Sequence, residues 1–90
     1  MDKVRIDKWL WAARFFKTRA LAKNAIDNGK VHIDGQKPKA SRMLELGVTL
    51  TIRQGFDEKV VTVVTLSDQR RGAPQAQTLY QETQESIAAR

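Results

Sequence analysis

The chain contains no cysteine, two prolines, one tyrosine and a single histidine in 90 residues. Without cysteine there is neither a disulfide framework nor a thiolate zinc site, so stability must come from packing, with or without a partner, which suits a reducing cytoplasm. His32 has no second histidine or cysteine with which to hold a metal, and it reads as a surface or half-buried strand residue rather than a ligand or general base. Long apolar runs are also missing. In the N-terminal MDKVRIDKWLWAARFF the longest uncharged stretch is Trp9–Ala13, five residues, too short for a signal segment or a membrane span. Gly29, Gly35 and Gly47 lack phosphate-loop spacing and read as turn residues. These absences lead to the expectation of a soluble, cytoplasmic protein with no membrane partner, no cofactor and no small-molecule substrate.

What is present is one small domain's worth of apolar residues, 41% of the chain, and an uneven charge. A chain this short buries only about 60% of its unfolded surface. The net charge is +6, yet residues 1–42 carry eleven Lys/Arg against four Asp/Glu while residues 43–90 carry five against six. All of the basicity therefore lies in the first half. Such a patch is suited to phosphates or an anionic surface, whereas evenly spread charge serves solubility.

Periodicity then places the cations. From Arg5, the apolar residues Ile6, Trp9, Leu10, Ala13 and Phe16 follow helical spacing, with Lys8, Trp11 and Phe15 on the opposite side and Arg14 flanking them. Thr18 is a natural N-cap for a second helix over Arg19–Asn28, whose buried stripe is Leu21, Ala22, Ala25 and Ile26 and whose stop is Asn28-Gly29. Arg19 and Lys23 lie off that stripe. The stretch RFFKTRALAK thus reads as a helix end, a tight turn and a helix start, with cations around free backbone N–H groups. Asp7, between Arg5, Lys8 and Arg14 in the sequence, reads as an orienting ion-pair partner rather than an acid catalyst.

Beyond Gly29 the period changes to two. Val31–Ile33 is a short strand closed by Asp34-Gly35, Val48–Arg53 a second, and Lys59–Leu66 a third that forms a hairpin with it. In the connection QKPKASRMLELG, Pro38 forbids a central strand and Ser41 is placed to cap one helical turn through Leu46. After a break over Ser67–Pro74, Ala76, Leu79, Tyr80, Thr83 and Ile87 recur at helical spacing and predict a closing helix. The predicted core is Ile6, Trp9, Leu10, Ala13, Leu21, Ala25, Ile26, Val31, Ile33, Leu50 and Ile52, and packing is favoured over base stacking for Trp11 and Phe15.

Several submotifs together resemble a known family. The opening Arg5-x-Asp7, Arg14, Thr18-Arg19-Ala20-x-Ala22, Ile26-x-x-Gly29-x-Val31-x-x-Asp34-Gly35 and Lys39-x-Ser41 ahead of the Gly47-bounded strand are similar to the RNA-binding domain first described in ribosomal small-subunit protein four. That likeness covers about residues 4 to 52. The Trp9–Arg19 run, Arg53-Gln54-Gly55, Gln69-Arg70-Arg71 and Leu79–Thr83 resemble a ribosome-associated heat-shock branch of the family and extend the likeness to about residue 86. Two departures stand out. The family's Gly-Asp is Gly47-Val48 here, and a basic extension that relatives carry after the tail helix lies outside this sequence.

The resemblance implies an α+β fold in which a two-helix RNA-binding corner packs on a small, mainly antiparallel sheet, followed by a C-terminal helix. It implies an RNA-binding domain over residues 1–66, with residues 67–90 a loop and helix docked on it or fraying from it. Carried over by position, Arg5, Lys8, Arg14, Lys17, Thr18, Arg19 and Lys23 form the helical part of the RNA surface, and Lys30, Lys37, Lys39, Ser41 and Arg42 a flanking part. The partner implied is structured RNA, ribosomal RNA of a free large subunit that still carries peptidyl-tRNA, with tRNA as a second candidate; the role is rescue of stalled translation under heat stress, by a monomer. An enzyme is disfavoured, because RNA-modifying enzymes carry this domain as an appendage to a catalytic part for which 90 residues leave no room. A DNA-binding helix-turn-helix is the competing reading, but Lys23, Asn24 and Asp27 are a thin set of base-reading side chains.

Overall fold

Helix formation starts at Ile6, the first residue of the apolar stripe. In the structure, a computed structural model that describes residues 2–90, Val4–Arg5 is a short strand, β1, and helix α1 spans Ile6–Ala12. Arg5 is extended at the N-cap and offers no side-chain cap. One of the orphan first-turn donors is instead satisfied from a distance, Ile6 N–H donating to the Arg42 carbonyl at 2.8 Å.

Helix α1 ends sooner than expected, at Ala12 rather than near Phe16. Arg14 adopts a left-handed φ of 64°, its N–H bonds to the Trp11 carbonyl at 3.0 Å and the Phe15 N–H to that of Leu10 at 3.0 Å. This is a Schellman stop built on arginine where glycine is usual. Its effect is to throw Phe15 inward, so that a residue assigned to the outer face of a longer helix is 9% exposed and belongs to the core.

Helix α2, Arg19–Asp27, forms as its signals predict. The Thr18 hydroxyl accepts from Leu21 N–H at 3.1 Å, and Gly29, at φ 75°, closes a second Schellman stop through the Lys30 N–H to the Ala25 carbonyl. Its buried face is Ala22, Ala25 and Ile26. Leu21, expected in the core, is 48% exposed, lying at the edge of the buried Ala22, Ala25 and Ile26 stripe, about 100° around the helix from Ala22.

The strands that follow are β2, Val31–Ile33; β3, Met43–Leu44; β4, Thr49–Gln54; β5, Asp57–Val63; and β6, Tyr80–Glu82. An antiparallel four-stranded sheet runs in the order β2-β4-β5-β6, and β1 pairs with β3 in a separate ribbon that aligns Val4 with Leu44. The helical turn expected from Ser41 is absent; Met43–Leu44 pair with β1 instead, since Leu44 gains full burial there. The sheet's inner face presents Val31, Ile33, Leu50, Ile52, Val61 and Val63 to Ile6, Trp9, Leu10 and Ile26 of the helices, all in one core.

The predicted single closing helix is replaced by four short pieces: α3, Ala73–Ala76; a 3-10 turn, Gln77–Leu79; β6; and α4, Gln84–Ala88. The edge of β5 explains the change. Pairing Val63 with Tyr80 and Val61 with Glu82 satisfies ladder groups that a continuous helix would leave open. It also brings the Tyr80 ring within 4.7 Å of Phe15 and 6.4 Å of Trp9, while the Trp9 indole N–H donates to the Thr65 carbonyl at 2.9 Å. Among the described residues no buried side-chain polar atom lacks a partner.

Candidate nucleic-acid interface

The connection between α1 and α2, residues 13–18, carries no regular structure of its own, and its shape is fixed by side chains from far along the chain. Gln54 Nε2 donates to the Phe15 carbonyl at 2.6 Å. Arg70 Nη1 donates to the carbonyls of Phe16, at 3.0 Å, and Trp11. The Arg70 guanidinium carbon also lies 5.7 Å from the centroid of the Trp11 ring, which is half-buried against the core. Arg14 Nη1 in turn donates to the Arg71 carbonyl at 3.0 Å. The corner is therefore clamped by the hairpin on one side and by the loop after β5 on the other.

On this frame Lys17, Thr18 and Arg19 stand exposed at the junction, and Lys23 follows one turn later on the outer face of α2. Arg5 and Arg19 converge on Asp7, at 3.0 Å and 3.4 Å, although they are fourteen positions apart. Asp7 is only 3% exposed, whereas both arginine side chains remain 45% exposed. Burial alone would raise its carboxyl; the hydrogen bond and charge of Arg5, with the charge of Arg19, outweigh that and hold it below the usual carboxylate range. Asp7 thus pins two cations in place while leaving their outer edges to solvent.

The flanking set divides. Arg42 is joined to the helical part through the Ile6–Arg42 bond and the Arg5–Met43 pairing, so the loop holding Lys37, Lys39 and Ser41 leads directly to the start of α1; all four of these residues are exposed. Lys30 does not join them. It lies past the C-terminal end of α2, a helix length of about 13 Å from the corner, and is tied to β4 by Arg53 N–H donating to its carbonyl at 2.8 Å. Lys8 is half-buried on α1. Of the cations in the first half, Lys3, Arg5 and Arg19 have a carboxylate within ion-pair distance; Arg14, Lys17, Lys23, Lys30, Lys37, Lys39 and Arg42 are exposed with no such pair among the described residues. Sequence reasoning missed Gln54 and Arg70 as the residues that hold the corner. Both lie in submotifs that carry the family resemblance, Arg53-Gln54-Gly55 and Gln69-Arg70-Arg71, but nothing in those submotifs tells that their side chains reach the α1–α2 corner.

Comparison with known proteins fits this geometry. The family model described as the S4 domain matches residues 4–50. The chain is 57% identical over 88 residues to the heat shock protein 15 homolog of Haemophilus influenzae, covering 98% of this chain and 67% of that protein. It is 43% identical over 60 residues to the RQC P-site tRNA stabilizing factor of Bacillus subtilis, covering 67% of each. The solved structure of Vibrio cholerae heat shock protein 15, described as trimeric, superposes with a TM-score of 0.96 at 57% identity over 99% of this chain and 90% of that one. The chain spans about two thirds of the length of the curated relatives it matches. With the Arg5–Asp7–Arg19 cluster, the two-helix corner and the antiparallel sheet all inside or beside the matched span, the chain belongs to the S4 domain family, in its heat shock protein 15 group.

Proposed function

We propose that this chain is a non-catalytic, cytoplasmic RNA-binding factor that grips structured ribosomal RNA with its α1–α2 corner, on a large ribosomal subunit that still carries peptidyl-tRNA after stalled translation. The observation that carries the reading is the set of exposed cations without an ion-pair partner among the described residues, Arg14, Lys17 and Lys23 around the corner, continued through Arg42, Lys39 and Lys37 by the Ile6–Arg42 bond. Arg5, Lys8, Thr18, Arg19 and Ser41 complete the surface, with Lys30 an outlying member. Phosphates of a folded RNA are the natural partner of such a surface, since shape and backbone dominate recognition of paired RNA. Residues 1–66 form the RNA-binding unit in this reading, and residues 67–90 serve it by clamping the corner.

The stalled-ribosome setting is supported by the names of the relatives, which are heat shock protein 15 and a P-site tRNA stabilizing factor. Sedimentation with separated ribosomal subunits tests it: the protein should travel with the large subunit and not the small one. Competition of a labelled RNA hairpin by duplex DNA at fixed salt tests the class of nucleic acid. Displacement by DNA more readily than by unlabelled hairpin would return the corner to a helix-turn-helix role. The chain acts singly in this proposal, because its exposed large apolar side chains, Leu21, Met43, Phe56, Val64 and Ile87 among them, sit on different elements. A light-scattering mass near three chains would instead extend to it the trimer described for the Vibrio protein.

A further inference from the structure

A groove of about 290 Å³ runs between the outer side of α2 and the tip of the β4–β5 hairpin. The half-buried Phe16 and the exposed Leu21 give it apolar walls, and the carboxamides of Asn24 and Asn28 stand exposed along its α2 side. Lys30 and Arg53 line it as well, and no carboxylate does. Arg53 reaches Glu58 at 3.5 Å, but both side chains are at least half exposed, so that pair holds the guanidinium only weakly. Phe16 is the residue immediately before Lys17, which makes the groove continuous with the corner. Nothing in the folding of the domain requires this combination, since Leu21, Asn24 and Asn28 contribute little to the core.

We propose that the groove holds one unpaired nucleotide of the RNA gripped by the corner. This rests on the RNA-binding reading above and adds to it a preference for an unpaired base. The base packs against Phe16 and Leu21, the Asn24 and Asn28 carboxamides meet its edge, and Lys30 and Arg53 hold its phosphate. The chemistry matches on each side. A base presents donors and acceptors together, which neutral carboxamides satisfy and charged groups do not. Its phosphate is matched by two cations with no acid beside them. The volume lies at the low end for ligand pockets, suited to a single base rather than to a helix or a long peptide. A base stacked inside a duplex cannot enter, whereas one splayed from a bulge or loop can. Lys30, which lies away from the corner cluster, thereby acquires a role.

The test uses two RNA hairpins of equal nucleotide number, one fully paired in its stem and one with a single-nucleotide bulge carrying 2-aminopurine. The protein should bind the bulged hairpin roughly fivefold to a hundredfold more tightly, the range that stacking of one base supplies, and the 2-aminopurine emission should change on binding. The double variant Asn24→Ala/Asn28→Ala alters only exposed side chains and should fold normally. It should bring the ratio close to one while leaving the salt dependence of binding to the paired hairpin unaltered. Equal binding of the two hairpins by the native protein overturns the inference, as does unchanged emission. A preference that survives in the double variant also overturns it and leaves the groove to a protein partner. Failure to bind either hairpin is a different result, and it sinks the RNA-binding reading itself.

Discussion

Replacing Arg70 by alanine should loosen the corner more than any other single change outside the core. One guanidinium nitrogen donates to the carbonyls of Trp11 and Phe16, and the guanidinium carbon lies over the Trp11 ring, 5.7 Å from its centroid. The Trp11 carbonyl keeps a second donor, the Arg14 N–H at 3.0 Å, so the loss falls mainly on Phe16. A hydrogen bond from a charged donor contributes about 1.5–3 kcal/mol, and a partly exposed cation–π contact about 0.5–1 kcal/mol. Since one nitrogen serves both carbonyls, we count the pair as little more than one bond, giving a loss of about 2–3 kcal/mol. For a domain of this size each kcal/mol moves the melting temperature by about 4–8 °C, so Arg70→Ala should melt roughly 10–20 °C below the native protein by circular dichroism. Arg70→Lys keeps the charge without the planar fork and should recover no more than about half of that loss. Amide exchange at Phe16 and Lys17 should quicken in both variants. A melting temperature of Arg70→Ala within about 2 °C of native would show that the loop after β5 does not hold the corner.

Four further outcomes follow from the same structure. The log of RNA affinity should fall with log salt, and changing Lys17, Lys23 and Arg42 together to Gln should flatten that slope by about two to three units if each meets one phosphate; the matched change at Lys3, Lys59 and Arg90, which lie near Glu45 or Glu82, should flatten it much less, and equal flattening would mean a diffuse positive surface. The lowered Asp7 carboxyl stabilises the fold at every pH above its ordinary value near 3.9 and loses that contribution as pH falls through the lower folded value, so Asp7→Asn should be weaker by about 1–3 kcal/mol at pH 7 and should lack this part of the acid loss; a denaturant midpoint with unchanged pH dependence below pH 4 would contradict it. At Arg14 the left-handed backbone makes glycine the better substitute, and Arg14→Gly should be more stable than Arg14→Ala by about 1 kcal/mol, the reverse of the order inside a helix. Leu10, fully buried beneath the sheet, should cost about 2–5 kcal/mol as alanine, and a melt unchanged by that substitution would refute the packing of α1.

Local chemistry alone was enough for α2, for β2 and its Asp34-Gly35 turn, and for the inward face of β4, whereas the third strand, expected over Lys59–Leu66, spans Asp57–Val63 and its buried Val61 and Val63 were not in the predicted core. Thr18 and Gly29 each act on neighbours three or four positions away, and strand alternation records burial directly in the order of residues. The basic first half, and the expectation that it meets phosphates or an anionic surface, were legible because charge is a sum over residues and needs no fold; that the partner is RNA came from the family resemblance. What the sequence could not settle was where α1 stops, because an arginine at φ 64° carries no mark comparable to glycine. That conformation holds only because Phe15 gains burial against Trp9 and Tyr80, the latter 65 positions away. The closing segment is the same case in reverse: helical spacing over Ala76–Ile87 is real, but an open β5 edge offers Tyr80–Glu82 ladder bonds that outweigh it. The pairing of Arg5 and Arg19 on Asp7, the separation of Lys30 from the corner and the clamp by Gln54 and Arg70 all depend on which distant segments meet. Contacts of that kind are set by the shared core, and no window of neighbouring residues contains them.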